Sequence, residues 1–574
     1  MTTQAPAFQQ WLDAFFAEYY RHRPVNATFI GVHDFDDRLP DFSEAGVDAC
    51  VVGMADLQRR LRELPDEPLS AAEAIDRQLA EGFLEIQQWE FASRHFQRGN
   101  PCVYTGEAIF GVLSLFLRPF APFPERVASA VARLEAIPTL LAQGQANVRA
   151  APTAWTQRAI RECDGALAFL TDGIDRLCAE HGGEQPQLRR AADRAAAAFS
   201  AFRAYLQTDL LAHPVETYAC GPDALDLLLR RGHFLAQGAE EIERYAWSQF
   251  EEANARLAAS AAACGVPSWS AALAQLTDLH PTTSDYYARY TAIWDAAKAH
   301  AEAHDLVTWP DYPIRYIPQP VWARQAAPSL YFLFYRAPAA FDRVPVVDYL
   351  VTPIEPDMPP EEQERRLRAH NDSVIKLNHV IHHGGLGHHV QNWYAYNRAA
   401  SRIGQVAAVD CASRIAMFCG GTMAEGWACY ATELMDEFGF LTPLERVAET
   451  HSRLRMAARA IVDVRLHTGA FTLDEAAAFY RERVGMSDEA VKNSMFPGTA
   501  LMYLVGTDLI HDLRRTLAAR QGAGFHLRQF HDAFLAYGSV PVSLIADAML
   551  REIEPQPGSA SRRGTVNECG GPER

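Results

Sequence analysis

The sequence predicts a mainly α-helical protein with a single catalytic domain. Three observations carry that expectation. Apolar residues recur at three- and four-residue spacing, as in Phe8, Leu12, Phe15 and Tyr19 and again in Ile75, Leu79, Phe83 and Ile86, so each set shares one helical face. Ala-rich stretches such as ADRAAAAFSAFRAYL, 192–206, lack the period-two alternation of a half-buried strand. The 574 residues are 49% hydrophobic and 22% charged, the usage of a globular chain rather than of a disordered, collagen-like or membrane-bundle one.

From the N-terminus onward, MTTQAPAFQQWLDAFFAEYY has no basic segment leading into an apolar one, so no signal peptide is expected. The longest apolar run, AIFGVLSLFL at 108–117, is about half of the roughly 20 residues a membrane-spanning helix needs. A cytoplasmic protein with no membrane partner is the expectation. HGGEQPQ, 181–187, and LTDLHPTTSD, 276–285, read as loops between helices and not as long linkers. Two segments concentrate aromatic and β-branched residues between Pro-rich turns: SLYFLFY, 329–335, and VPVVDYLVTPI, 344–354. They predict a small sheet just ahead of EEQERRLRAHNDSVIKLNHVIHH, 361–383, whose Leu367, Val374, Leu377 and Ile381 mark one amphipathic helix. Residues 555–574 are almost devoid of apolar side chains and are expected to be disordered. The domain is thus placed at 1–554, with a helical half over 1–300 and a second half over 301–554 that holds the candidate site.

Net charge is −18, from 53 Lys and Arg against 71 Asp and Glu, and the basic residues form no stripe, which argues against a nucleic-acid partner. Ten cysteines are scattered without a CxxC pair, the pattern of reduced, buried thiols.

The segment HHGGLGHHV, 382–390, is different. Five histidines, His379, His382, His383, His388 and His389, fall within eleven residues, where average usage gives about 0.4. Histidines at a helix C-terminus can simply be satisfied by the dipole and solvent. A cluster of this density points instead to a metal site. On a regular helix, six residues turn His388 about 120° away from His382, and His389 lies about 10 Å along the axis, so neither could chelate with it. Three glycines around Leu386 allow a bulge or break that would bring the second pair back.

HHGGLGHHVQ resembles the H-E-x-x-P-G-H-H-x-Q signature of the domain-of-unknown-function family 885, metallopeptidase-like proteins of the gluzincin type. RPVNATFIGVHDFDDRLPDFSEAG at 23–46, EGWACYATELMDEFG at 425–439, LHTGAFTLDEAAAFY at 466–480, FPGTALMYLVG at 496–506 and FHDAFLAYGSVPVSLI at 530–545 resemble further blocks of it. The resemblance implies a large helical gluzincin-like fold with a small sheet near a metal site. It implies His382 as first ligand, His388 or His389 as second and Glu425 as third, with one position left for water and substrate. From the residues alone, Glu425 opens an apolar helix through Trp427, Tyr430, Leu434 and Phe438, where a first-turn carboxylate suits the dipole. Tyr503 matches a family tyrosine in a region where related peptidases place a hydrogen-bond donor to the developing oxyanion.

The family's proton-transferring glutamate is here His383, its Pro is Leu386, an Arg-Tyr pair is Lys492 and Asn493, and Thr499 replaces a Gln. Imidazole can act as a base near neutral pH, but it can also bind the metal. If the Arg-Tyr pair holds a substrate, Lys492 and Asn493 hold it differently, because lysine lacks the arginine fork. Three readings follow: a metal-dependent hydrolase of an amide or peptide-like bond with His383 as altered base; a metalloenzyme repurposed for other chemistry on a small molecule in a biosynthetic pathway; or an inactive helical binding scaffold. The expected cofactor is a divalent metal, zinc by resemblance, with iron or manganese also suited to the donors. The expected partner is a small-molecule or short peptide-like substrate. Nothing in the sequence sets the oligomeric state.

Overall fold

A computed structural model describes residues 6–65, 67–330, 338–342, 344–411, 414–486 and 489–553, and most of them are helical. The periodic segments become helices with the faces that the spacing predicts. Ala7–His22 buries Phe8, Leu12, Phe15 and Tyr19. Ala71–Ala92 buries Ile75, Leu79, Phe83 and Ile86, and starts at a capping box in which Ser70 and Glu73 satisfy each other's backbone N–H groups. The same device, Thr442 with Glu445 and Pro443 in the first turn, starts the long helix Pro443–His467.

Long helices pack in pairs, both within and between the chain's two halves. Phe123–Asn147 lies against Pro186–Tyr205, Ala239–Ala263 against Pro443–His467, and Gly421–Glu437 against Met502–Gln521. Trp11, Trp155 and Trp427 are fully buried in the apolar core, positions where truncation to alanine costs about 3–5 kcal/mol. The nine described cysteines form no disulfide with one another, and seven of them are buried. No helix of the described residues is long and apolar enough to cross a membrane.

The small sheet is present, and the partner strand described in it is one the sequence did not single out. Val347–Val351 pairs in parallel with Ile314–Pro318, with Tyr316 opposite Tyr349. The 329–335 candidate lies largely outside the described residues, as does the 555–574 tail. A second ladder, Asp410–Cys411 with Arg414–Ile415, is antiparallel and only two residues long.

The single helix expected over 361–383 is also corrected. Pro360–Ala369 stops at His370, Asn371 caps a new turn by accepting from the Val374 N–H at 3.1 Å, and Ile375–Gly384 continues as a π-helix. The Asn side chain competes with the helix for backbone partners, which is why it restarts the chain there.

One ion cluster joins the chain's N-terminal region to the segment between the two strands of the sheet. His33 donates to Asp36 through Nδ1 at 2.8 Å and to Asp342 through Nε2 at 2.9 Å, and stacks on Phe120. Burial opposes its charge, but Asp342 and Asp36 together outweigh burial and raise the imidazolium to about 9. A raised folded-state value stabilises fully below the unfolded value of about 6.5 and is lost as pH rises through 9. Because the ring is partly exposed, we expect about 1–2 kcal/mol of stability to disappear over that window. Denaturant melts of wild type and His33→Gln check this: the two should converge above pH 9, and parallel curves across pH 6–9 would refute it.

Candidate metal centre

The π-helix sets the direction of the histidines. Its wider turn, closed by i to i+5 bonds, lets the His383 Nδ1–H donate to the Asn378 carbonyl five residues back at 2.7 Å. The sheet supports it from behind. The Tyr349 hydroxyl meets His379 Nδ1 at 2.6 Å and the Tyr316 hydroxyl donates to the His379 carbonyl at 3.3 Å. His379 is thus a strut between sheet and helix, stacked on His370, and burial with that neighbour's help pushes its imidazole down to about 3.

The glycine hinge then turns the chain. Trp294 Nε1 donates to the Gly384 carbonyl at 2.7 Å and Trp427 Nε1 to the Leu386 carbonyl at 2.8 Å, so two indoles satisfy buried carbonyls at the end of the π-helix and in the hinge after it. A Cβ on Gly387 would lie 2.0 Å from the His382 carbonyl oxygen, and one on Gly384 would lie 2.1 Å from the Tyr316 hydroxyl. Those close approaches are what allow His388, the first residue of the helix His388–Arg398, to return beside His382.

The ring nitrogens of His382, His383 and His388 can all lie within 4.8 Å of one another. The ring centroids are 4.7 Å apart for His382 and His383, 4.8 Å for His382 and His388, and 5.5 Å for His383 and His388. Glu425 approaches from the facing helix, with Oε2 3.3 Å from His382 Nε2 and 3.6 Å from His388 Nε2. Neither approach has hydrogen-bond alignment, and Oε2 is buried without a hydrogen-bond partner among the described residues. A tetrahedron with metal–ligand bonds of about 2.1 Å has edges of about 3.4 Å. The two distances are edges of that size, so the residues fit a divalent ion held by His382, His388 and Glu425, with His383 close enough to join.

Burial lowers the His382 imidazole, with the Glu425 carboxylate opposing and His388 adding to the fall. Burial also drives His383 well below its usual value, aided by the charges of His382 and His388. Burial works against the Glu425 carboxylate, yet His382 and His388 together overcome it and hold the group well below the ordinary carboxylate range. Burial thus favours the neutral form of His382 and His383, and the histidine neighbours favour the ionised form of Glu425, the forms in which these groups bind metal.

Three sequence expectations change. His389 points away: it is fully buried, its Nε2 bonds the Tyr312 carbonyl at 2.6 Å and its ring stacks on Tyr312. One residue after His388 on a regular helix lies about 100° round, so both cannot face the same point. Glu425 sits in the second turn of Gly421–Glu437, not the first, so the helix dipole does not place it. What places it is a close helix crossing, where a Cβ on Gly426 would lie 2.5 Å from the Gly506 carbonyl carbon. Asn493 is a core residue: its amide donates to the Tyr480 hydroxyl and its carbonyl accepts from His467 Nε2 at 2.9 Å. Lys492, half-buried on the short helix Ala490–Met495, bears on Glu489 instead.

The same crossing brings Tyr503, in the first turn of Met502–Gln521, toward the centre. Burial raises its phenol well above the usual range and the Glu425 charge adds to this, so the hydroxyl stays a donor. Arg459 lies over its ring, 4.5 Å from the centroid. Arg455, Arg459 and Glu489 were not singled out in the sequence; the only signal was an ordinary i,i+4 basic pair in RMAAR, 455–459.

Two solved structures share the fold. A protein described as a "putative lipoprotein of unknown function" from Shewanella oneidensis is 21% identical over 95% of this chain and 99% of its own, with a TM-score of 0.74. A "putative lipoprotein" from Colwellia psychrerythraea is 16% identical over 96% and 100%, with a TM-score of 0.73. No curated protein matches the chain. The model of the family described as bacterial protein of unknown function, DUF885, matches residues 24–549, and the chain belongs to that family.

Proposed function

We propose that this chain is a metal-dependent hydrolase of an amide or peptide-like bond. The observation that carries the reading is the convergence of His382 and His388 nitrogens on a buried Glu425 oxygen that has no hydrogen-bond partner among the described residues. His382, His388 and Glu425 would hold the ion, zinc in the first instance, with iron or manganese also compatible with nitrogen and carboxylate donors. A divalent ion there would supply Lewis-acid polarisation of a carbonyl and of water. His383 stands where it can accept a proton, with its Nδ1–H fixed on the Asn378 carbonyl so that Nε2 is the basic nitrogen. Tyr503 would donate to the oxygen on which charge develops. The substrate is a small molecule or short peptide.

A second reading has one observation in its favour. His383 lies in the same nitrogen cluster as His382 and His388, so it could complete a three-histidine, one-carboxylate set and leave no base in the family position. That arrangement would suit a metalloenzyme turned to other chemistry on a small molecule. His383→Glu separates the two. On the hydrolase reading the metal-loaded variant gains peptidase activity on short peptides, by about 10²-fold or more. On the second reading, native turnover falls and no peptidase activity emerges.

A further inference from the structure

Arg455 and Arg459 sit one turn apart on Pro443–His467 and share a single carboxylate. Glu489 receives Arg459 through Nε at 2.7 Å and Nη2 at 2.7 Å, and Arg455 through Nη2 at 3.3 Å. Lys492 adds a third positive charge that acts on Glu489. Among the described residues, three cations therefore act on one anion. The donors are not used up: Arg455 Nε is buried with no hydrogen-bond partner, and Arg459 Nη1 makes no hydrogen bond among the described residues. Burying a guanidinium donor without an acceptor costs about 1–3 kcal/mol, so the vacant Arg455 Nε needs an explanation, while Arg459 Nη1 stays open to solvent or to a ligand.

The cluster adjoins the metal centre. The Arg459 guanidinium covers the Tyr503 ring at 4.5 Å, its charge bears on His382, and the Glu425 charge bears on Tyr503. A surface ion pair would have no reason to lie against the residues that flank the candidate ion.

We propose that Arg459, with Arg455 beside it, receives a carboxylate of the substrate, and that Glu489 is the resident counter-ion that this carboxylate joins or displaces. The inference rests on the hydrolase reading for calling the ligand a substrate. It narrows the substrate class to amides or peptides bearing a free carboxylate, and moves the recognition role from Lys492 and Asn493 to an arginine pair whose forks suit two carboxylate oxygens.

The probes are benzoyl-glycyl-phenylalanine and its C-terminal amide, titrated calorimetrically into the full-length chain with and without zinc. Wild type should bind the acid at least about 10-fold more tightly than the amide. Arg459→Gln should erase the preference, and Arg459→Lys, which keeps the charge and loses the fork, should keep part of it. Glu489→Gln is the discriminating variant: it should bind the acid about 3- to 10-fold more tightly, because the competing carboxylate is gone. A merely structural ion pair predicts lower thermal stability in that variant and no gain in acid binding. Equal affinity for acid and amide, including no detectable binding of either, overturns the proposal. The acid preference is read on the metal-free chain, so a protein that holds no metal would sink the hydrolase reading and leave this test intact.

Discussion

Glu425→Gln should weaken metal binding by more than about 100-fold while leaving the metal-free fold within about 1 kcal/mol of wild type. The carboxylate supplies the anionic donor of the candidate set, and a neutral amide oxygen of the same size offers neither the charge nor the same affinity for a divalent ion. Its Oε2 makes no hydrogen bond among the described residues, and the amide removes a charge that burial opposes as well as one that His382 and His388 favour, so the two losses offset in the metal-free protein. Metal titration with a competing chelator, beside denaturant melts of both metal-free proteins, reads the two effects separately. Unchanged metal affinity would remove Glu425 from the site.

Gly506→Ala should cost about 3 kcal/mol and disturb the centre without touching any ligand. A Cβ there would lie 2.1 Å from the Thr422 carbonyl oxygen and 3.0 Å from the Gly426 Cα. Both obstacles are backbone, so no side-chain rotation relieves them, and the Gly421–Glu437 and Met502–Gln521 helices must move apart. Glu425 lies on one and Tyr503 on the other. The expected outcome is a lower melting temperature together with weaker metal binding; wild-type values for both would show that the crossing tolerates a methyl group and does not set the site's geometry.

Much of this architecture was readable from the residues. The faces of Ala7–His22 and Ala71–Ala92 follow from apolar spacing, since burial on one stripe is what holds such helices in place. The histidine cluster announced itself by density, and the glycines by their place between its two halves. The choice between His388 and His389 was not readable. Adjacent residues after a glycine hinge can each face the centre, and only the ψ of −118° at Gly387 decides which one does. The π-helix was equally hidden, because an extra residue per turn leaves no compositional trace and the same apolar stripe fits an α-helix. Ile314–Pro318 is too short and too mixed to stand out until Tyr349 is seen beside Tyr316. Asn493 looked like a binding residue because it occupied a family position, and proved to be held by Tyr480 and His467. Arg455 and Arg459 looked like surface charge on a long helix, and their meaning depends on a Glu489 that lies far away in sequence.

The most direct test of the account is elemental analysis of untagged wild-type protein after reconstitution with zinc, iron or manganese and exhaustive exchange, combined with X-ray absorption at the metal edge. The account predicts one tightly held equivalent per chain, with a coordination shell of two or three imidazoles and one carboxylate oxygen. A protein that retains no stoichiometric metal, or one whose bound metal shows no imidazole ligation, would contradict it.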